Sequence, residues 1–293
     1  MFDLGHINSI PHFHKDFGDK IETQRMWENT YNKRQIRQIL REEFQDLFKP
    51  DEEHLNIKLD VMGIVAEREH VYFDTIIEML VEKGNISESK QIISEVLIEL
   101  CERDYIDLEP IKGNQKIWRN YIVNPETASK IEELKSLPPM IVEPLKVNYK
   151  GNNRGSGYLT IGSDSLILNN NHHLGNLSTD ILDRYNQIPL TINTDVVRNI
   201  RNCWGDLFDE ETNKLTEEYK VKLESFEKFE RLSIKFIAML VNQGNKFWHT
   251  HKYDKRGRIY AIGYWVSPQG NSYQKACIEF YNKELITDEI NFF

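Results

Sequence analysis

The sequence predicts a mainly α-helical protein with small mixed β elements. Three observations support this fold class. In several long stretches, apolar residues recur three or four positions apart, which is the spacing of an amphipathic helix. Clusters of Gly, Pro and Asn separate these stretches. After Phe247 the pattern changes to short runs of β-branched and aromatic residues, which favour strands.

Helical periodicity is clearest in the first hundred residues. The spacing predicts one helix from Thr23 to Phe48 with four apolar residues on one face, namely Ile36, Leu40, Phe44 and Leu47. Two further helices are predicted, from His70 to Val81 and from Ser87 to Leu100. Gly84-Asn85 separates them, and Ser87 is a candidate cap.

A β-hairpin is predicted next, with strands at Tyr105–Leu108 and Lys116–Val123 around a Pro-Ile-Lys-Gly-Asn turn. Two helices followed by a hairpin are typical of a winged-helix unit, which can read DNA or serve as scaffold. Ile111 at the tip could wedge against a base step or be an ordinary exposed turn residue.

The middle of the chain alternates helices with irregular sequence. Helices are predicted from Pro125 to Leu134, from Thr194 to Cys203 (capped by Thr194 or Asn193) and from Glu211 to Asn242. Between the first two, residues 146–176 are rich in Gly and Asn and form a candidate boundary region. Short strands are predicted there at Tyr158–Ile161 and Leu166–Leu168 and, later, on either side of Gly263 at Ile259–Ile262 and Tyr264–Val266.

Composition narrows the function classes. The 293 residues carry a net charge of −9, which argues against coating nucleic acid through bulk positive charge. Three widely spaced cysteines, Cys101, Cys203 and Cys277, fit a reducing compartment. The N-terminus lacks the pattern of a signal peptide, and no stretch approaches the ~20 apolar residues of a membrane span. We therefore expect a cytosolic protein with no membrane association.

Charge is unevenly distributed. Residues 247–283 hold six Lys or Arg against two acidic residues. Aromatic residues are interleaved with them, among them Trp248, Tyr253, Tyr260, Tyr264, Trp265 and Tyr273. A basic segment with interleaved aromatics in an acidic protein indicates a phosphate-binding site. The alternative is a half-buried sheet edge with solvated lysines.

The order of residues in this segment is more specific. Asp254-Lys255-Arg256-Gly257-Arg258 is followed by Tyr260-Ala261, then by Pro268-Gln269-Gly270-Asn271 and Lys275. This resembles the start of the palm in single-subunit RNA polymerases of the bacteriophage and mitochondrial type. Their mark is Asp-x-x-Gly-Arg with Tyr-Ala, then Pro-Gln-Gly-Asn with a lysine four residues on.

Two further stretches resemble the same family. Leu137–Pro144 followed by Gly155-Ser156-Gly157-Tyr158-Leu159 is similar to its proline-rich strand and Gly-Gly-Tyr-Leu stretch, with Tyr149 where a tryptophan is usual. Arg231–Phe236 is similar to the end of its thumb helix. The resemblance implies a helical N-terminal domain (1–145, hairpin near 105–123), a linker region with thumb helices (146–246) and a partial palm (247–293).

The resemblance also implies roles for individual residues. Arg256 and Arg258 would hold the backbone of the RNA–DNA hybrid, while Lys275 and Gln269 would reach the RNA strand. Gly270 and Asn271 would shape the loop, and Arg231 and Lys235 of the thumb would also contact nucleic acid. From the residues alone, the two arginines on a regular strand would share one face opposite Gly257, with Asp254 bracing an arginine.

Phosphoryl transfer needs carboxylates that hold two metal ions, and the sequence shows no family-like His-Asp pair. The chain stops at Phe293, soon after the last matching stretch. We therefore expect the small subunit of a split, heterodimeric phage RNA polymerase in the cytoplasm of an infected bacterium. A larger subunit would supply the catalytic residues and bind Mg²⁺, template DNA and nascent RNA would be the other partners, and a single-stranded-DNA-binding protein is a candidate accessory factor.

Half a palm sheet would leave an open strand edge and an uncovered apolar face around Ile259, Ile262 and Trp265, which the larger subunit would cover. Three other hypotheses compete with the split polymerase. They are a winged-helix-like transcription regulator without enzymatic role, a stand-alone nucleotidyltransferase, and a metal site. For the metal site, the candidate ligands are His12, His14, His172, His173, His249 and His251, or the carboxylates of Asp180, Asp183 and Asp195.

Overall fold

The computed structural model of the protein describes residues 19–67, 70–81, 86–111, 113–170, 173, 175–208 and 216–283. They form two compact units. We call Tyr31–Lys135 the inserted unit, and the described parts of 1–30 and 136–293 the split unit. Helices predominate and the sheets are small, so the predicted coarse fold class is confirmed. Within the described residues, no helix is long and apolar enough to cross a membrane.

The described helices are α1 (Lys20–Thr30), α2 (Lys33–Phe44), α3 (Leu55–Ala66), α4 (Phe73–Leu80), α5 (Ile86–Glu102), α6 (Pro125–Leu134), α7 (Thr179–Asn186), α8 (Thr194–Asn199), α9 (Glu217–Asn242) and α10 (Ser272–Ala276). The described strands are β1 (His70–Tyr72), β2 (Ile106–Ile111), β3 (Asn114–Arg119), β4 (Arg154–Gly155), β5 (Asp164–Ser165), β6 (Leu190–Ile192), β7 (His251–Tyr253), β8 (Ile259–Ala261) and β9 (Ile278–Phe280).

The inserted unit combines helices with one three-stranded antiparallel sheet. The hairpin predicted from sequence is confirmed as β2 and β3, and β1 pairs with the outer side of β3, giving the order β1-β3-β2. The succession α3, β1, α4, α5, β2, β3 with this pairing is the arrangement of a winged-helix unit. Its core is apolar and continuous, and the side chains of Leu40, Met62, Leu97 and Ile117 are almost fully buried in it.

The single helix predicted from Thr23 to Phe48 is wrong, because the chain forms α1 and α2 with a break at Tyr31-Asn32. Asn32 has an extended backbone, and its Oδ1 accepts hydrogen bonds from the N–H groups of Arg34 and Gln35 at 2.9 and 3.1 Å. Asn32 therefore caps a new helix. Leu47, expected on the buried face, lies in a short 3-10 turn and is exposed.

The other predicted helices of this unit are largely confirmed. His70–Tyr72 is a strand, because it pairs with β3, and α4 begins only at Phe73. The helix predicted from Ser87 to Leu100 is α5, which starts at Ile86, so Ser87 lies inside its first turn. Gly84-Asn85 lies outside the described residues. Pro125–Leu134 is helical as predicted, with Asn124 as its cap.

The split unit is built around the apolar end of α9. Phe236 and Leu240 of this helix are almost fully buried. Short antiparallel pairs surround it, with β6 on β9 and β7 on β8. The described residues of 146–246 and of 247–293 both lie in this unit. The predicted boundary between thumb and palm at 246/247 therefore does not coincide with a boundary between compact units, and it stays a prediction.

Several strands predicted in the split unit are wrong. Tyr158–Ile161 forms bends, because the N–H groups of Leu159 and Thr160 bond to the carboxylate of Glu28. Tyr264–Val266 also bends, because Gln274 Nε2 donates to the carbonyls of Tyr264 and Trp265. Side chains thus take the backbone hydrogen bonds that a strand partner would need. In the described part of the Gly- and Asn-rich segment the paired strands are β4 and β5, and Ile167, from the strand predicted at Leu166–Leu168, forms an isolated bridge with Tyr253.

Two predicted helix boundaries also change. The helix predicted to reach Cys203 ends at Asn199, and its cap is Asn193, whose Oδ1 accepts from the N–H groups of Asp195 and Val196. The long helix predicted from Glu211 is described from Glu217, with Thr216 as its cap. The first residues of that prediction, 211–215, lie outside the described residues.

Candidate nucleic-acid interface

Residues 254–258 form a tight turn that joins β7 to β8. Oδ1 of Asp254 accepts hydrogen bonds from the N–H groups of Arg256 (2.8 Å) and Arg258 (3.0 Å). Its Oδ2 accepts from Nε and Nη2 of Arg258 at 2.7 and 2.6 Å. Gly257 has φ +82°, a left-handed conformation that favours glycine. One carboxylate therefore fixes both the turn and one arginine, as expected for Asp254.

This hydrogen bonding keeps the pair charged. Partial burial opposes ionisation of Asp254, but the hydrogen bonds from Arg258 and Arg256 hold the pKa of its carboxyl below the usual range. The hydrogen bond that Arg258 donates to Asp254, together with the negative charge of Asp254, raises the pKa of Arg258. Both groups are therefore charged at neutral pH, and their ion pair keeps the turn pre-organised there.

The strand geometry predicted for the two arginines is wrong. β7 ends at Tyr253 and β8 begins at Ile259, so Arg256 and Arg258 flank Gly257 in a turn and are not alternate residues of one strand. Lys255 and Arg256 are exposed, and the side chain of Arg258 is 58% exposed although it pairs with Asp254. Asp254 sets the backbone positions of Arg256 and Arg258, and Lys255 and Arg256 are the exposed cations of the turn.

The side chain of Gln269 bonds to the backbone of β8. Its Oε1 accepts from the N–H of Ala261 at 2.8 Å, and its Nε2 donates to the carbonyl of Ile259 at 3.1 Å. This is the pair of hydrogen bonds that a neighbouring strand would make with β8. The side chain of Gln269 therefore covers the edge of β8 that was expected to be open.

Gly270 and Asn271 build the start of α10. Asn271 Oδ1 accepts from the N–H of Gln274 at 2.8 Å, while Gln274 Oε1 accepts from the N–H of Asn271 at 3.2 Å, which is a capping box. A Cβ at Gly270 would lie 1.8 Å from Gln274 Oε1, so only glycine leaves room for this arrangement. The loop-shaping roles implied for both residues agree with this geometry.

The remaining candidate cations lie on helices. Lys275 is exposed in the last turn of α10. On α9, Arg231 is exposed and Lys235, one turn later, is half-buried. These residues and the arginine turn all belong to the split unit.

Half of the six interleaved aromatic residues are buried inside the protein. Trp248, Tyr253 and Trp265 are buried, and the ring of Trp265 lies 5.8 Å from that of Phe229. The prediction that Trp265 lies on an uncovered apolar face is therefore wrong. Tyr264 remains 58% exposed and is available for stacking.

The proline-rich stretch and the Gly-Ser-Gly-Tyr-Leu stretch are in contact with the segment that leads into β7. Met140 and Trp248 exchange two backbone hydrogen bonds of 2.8 Å. Leu145 N donates to the carbonyl of Gly157 at 2.8 Å, and Thr250 Oγ1 donates to the hydroxyl of Tyr158 at 2.6 Å. These three segments thus form one framework, and the last of them continues through β7 into the arginine turn.

Sequence analysis missed a buried polar pair on α1. Glu28 is 2% exposed, and its carboxylate accepts from Leu159 N (3.1 Å), Thr160 N (2.6 Å) and Thr160 Oγ1 (2.7 Å). Gln24 donates to Glu28 at 3.0 Å and accepts from Ile141 N at 3.0 Å. The only signal in the sequence was a Gln and a Glu four residues apart on the same helix face as Trp27.

Two histidines lie next to the framework, His249 buried and His251 half-buried. Burial lowers the pKa of His249 to about 4, against a hydrogen bond to the carbonyl of Ile262. Burial and the neighbouring His249 lower the pKa of His251 to about 4 as well. Both rings are neutral at physiological pH.

The candidate metal ligands do not form a cluster. Among the described residues, no group of three or more His, Cys, Asp or Glu side chains could hold a metal ion. His12, His14 and His172 lie outside the described residues. Asp180 and Asp195 lie in the first turns of α7 and α8, and Asp183 accepts from Val147 N at 2.7 Å.

Comparison of the chain with models of known protein families and with curated proteins gave no match. The resemblance to phage-type RNA polymerases therefore rests on the residues of this chain, and the function that it implies is a proposal.

Proposed function

We propose that this chain is the small subunit of a split, phage-type DNA-directed RNA polymerase. In this role it grips the RNA–DNA hybrid and completes the palm of a larger catalytic subunit in the cytoplasm of an infected bacterium. The observation that carries the proposal is that the proline-rich stretch, the Gly-Ser-Gly-Tyr-Leu stretch and residues 248–250 bond to one another, and that the chain continues from there through β7 into a braced arginine turn.

The turn suits sequence-independent binding of a nucleic-acid backbone. Guanidinium groups bind phosphate through charge-assisted hydrogen bonds, and such contacts carry no base information. Asp254 fixes the turn before binding, so little conformational entropy is lost when a phosphate arrives. Arg256 and Lys255 supply the exposed positive charge, and Lys275 is a further candidate for contact with the RNA strand.

The carboxylates that bind Mg²⁺ are assigned to the larger subunit, because the described residues of this chain do not form a cluster suited to two metal ions. When bound, magnesium stabilises the charge that develops on the transferred phosphoryl group. The contribution of this chain is to hold and orient the hybrid.

The winged-helix arrangement is the specific observation in favour of the alternative, a nucleic-acid-binding transcription regulator. In such units the second helix of the pair, here α5, enters the major groove. This helix carries four glutamates and one lysine, and Glu88, Glu95 and Glu102 are exposed. Because phosphate repels this surface, we assign the inserted unit to scaffolding rather than to reading DNA.

Co-purification tests the proposal. The chain is co-expressed with the polymerase-like chain of the same genome that contains the missing carboxylates, and the complex is assayed for transcription with magnesium. We expect a stable complex that synthesises RNA, while this chain alone synthesises none. RNA synthesis by this chain alone, or failure of the two chains to associate, would contradict the proposal.

Adding a single-stranded-DNA-binding protein to the duplex-template reaction tests the accessory-factor hypothesis.

A further inference from the structure

The outer edge of β9 presents backbone groups that point away from its sheet. Asn193 N donates to Cys277 O at 2.8 Å and Tyr281 N donates to Pro189 O at 3.0 Å. Residues 277, 279 and 281 therefore face β6, and the N–H and C=O groups of Ile278 and Phe280 face the other way. These outward N–H and C=O groups have the spacing needed to pair with a further strand.

Two other strand edges of the split unit are closed by side-chain amides. Asn245 accepts from Ile192 N and donates to Ile192 O, both at 2.9 Å, on the side of β6 away from β9. Gln269 covers β8 in the same way. Within the described ranges, neither a side chain nor a strand bonds to the outward groups of β9. Unlike those two edges, the outer edge of β9 has no cover among the described residues.

The side chains at this edge are aromatic and exposed. Phe280 is 65% exposed and Tyr281 is 44% exposed. The ammonium of Lys246 lies 4.5 Å from the centre of the Tyr281 ring, which places positive charge beside the apolar surface. Large apolar side chains on an unpaired strand edge are a liability for a soluble protein unless a partner covers them.

From this geometry we infer that the outer edge of β9 pairs with an extended strand of the larger subunit. The inference rests on the proposed function. Main-chain hydrogen bonds to Ile278 and Phe280 supply affinity, an apolar side chain of the added strand covers Phe280, and an acidic one lies near Lys246. Three residues of strand make only part of a stable interface, which typically buries about 1,600 Å².

Two variants at one position separate the backbone from the side chain. Phe280→Pro removes the outward N–H together with the ring, and it keeps the N–H groups that bond to β6, because these belong to neighbouring residues. Phe280→Ala removes the ring and keeps the N–H. We expect the larger subunit to bind Phe280→Pro about tenfold more weakly than Phe280→Ala, since a buried carbonyl of the added strand loses its donor.

Amide hydrogen exchange on the full-length chain, alone and in the complex, tests the inference. Alone, the amides of Glu279 and Tyr281 should be protected by β6, and the amide of Phe280 should exchange rapidly. In the complex the amide of Phe280 should become protected by at least tenfold. Retained protection of Glu279 in both variants confirms that β9 still forms.

Each other outcome is decisive. Concentration-independent protection of the Phe280 amide in the isolated chain would show that the chain's own residues cover the edge. Protection that rises with concentration would show that a second copy pairs there, and either result overturns the inference. A transcribing complex in which Phe280 still exchanges rapidly overturns it and leaves the proposed function standing. If no complex forms, the proposed function fails and the inference fails with it.

Discussion

The two units of this protein are held together in different ways. In the inserted unit, regular helices and one sheet enclose a continuous apolar core around residues such as Leu40 and Met62. In the split unit, long stretches lack regular structure, and buried polar side chains such as Glu28 and Gln274 bond to their backbone. The comparison teaches that polar residues in a motif that resembles a binding site can instead hold the protein's own backbone in place.

The largest expected effect is a cavity in the apolar core of the inserted unit. Leu40→Ala should lower the free energy of unfolding of this unit by about 2–5 kcal/mol, because it removes buried methyl groups and leaves a void. The measurement is amide exchange of Ile117 in increasing urea. Leu47→Ala, at an exposed position of the same segment, should cost less than about 0.5 kcal/mol. Equal effects of the two variants would contradict the account.

When the solution is acidified, the two units should lose stability at different pH values. In the split unit, burial lowers the pKa of His249 and His251 from 6.5 to about 4. The folded state then binds fewer protons than the unfolded state between these values. Stability should therefore fall as the pH drops from 6.5 toward 4, by up to about 1.4 kcal/mol per pH unit for each histidine.

In the inserted unit the responsible group is Glu52. The N–H of Lys49, together with Arg103 and Lys58, lowers the pKa of Glu52 from 4.5 to about 2 against the effect of burial. This contribution is fully present above pH 4.5 and is lost as the pH falls toward 2. Exchange of Trp248 and Ile117 amides between pH 7 and 4 measures both units in one sample. If the amides of Trp248 and Ile117 lost protection to the same extent above pH 5, the predicted difference between the two units would be refuted.

Replacing the buried carboxylate of the split unit should have a smaller effect. Glu28→Gln leaves an amide NH₂ where an oxygen now accepts from Leu159 or Thr160, so we expect a loss of about 1–3 kcal/mol in that unit. The measurement is urea unfolding followed through the amide of Trp248. Glu22→Gln, an exposed position on the same helix, is the matched control and should be neutral within about 0.5 kcal/mol.

The two hydrogen bonds by which Gln269 covers the edge of β8 should contribute least to the stability of the split unit. Its side chain is exposed, so water can replace its two hydrogen bonds, and Gln269→Ala should cost about 1 kcal/mol or less. The amide of Ala261 should lose its protection in this variant and retain it in Gln115→Ala, at an exposed position of β3. An unchanged Ala261 amide would show that Gln269 is not the cover and is available to a ligand.

Sequence alone predicted the elements that repeat a simple pattern. The helical spacing of Ile36, Leu40 and Phe44 and the turn residues of the β2–β3 hairpin led to correct elements in the inserted unit. The break at Asn32 was missed, because apolar spacing continues across it while the cap depends on one side chain. In the split unit the predictions failed where Glu28 and Gln274, distant in sequence, take the backbone hydrogen bonds.

The candidate site was predicted in part. Asp254 as the brace of an arginine follows from local chemistry, and the structure confirms it. The strand placement of Arg256 and Arg258 failed, because four hydrogen bonds to one carboxylate favour a turn over extended backbone. The covering of β8 by Gln269 could not be foreseen, since it depends on how the loop after Gly263 returns to the strand.

The central claim is that the arginine turn and Lys275 grip the hybrid, while Gln269 and Asn271 form the framework that presents them. The most direct test is the length of RNA made by the reconstituted complex. Arg256→Ala and Lys275→Ala should each raise short abortive products relative to full-length RNA by up to about tenfold, because a charge-assisted phosphate contact is lost. Lys130→Ala, at an exposed lysine of α6, should leave the ratio unchanged. Unaltered product lengths in both test variants would contradict the claim.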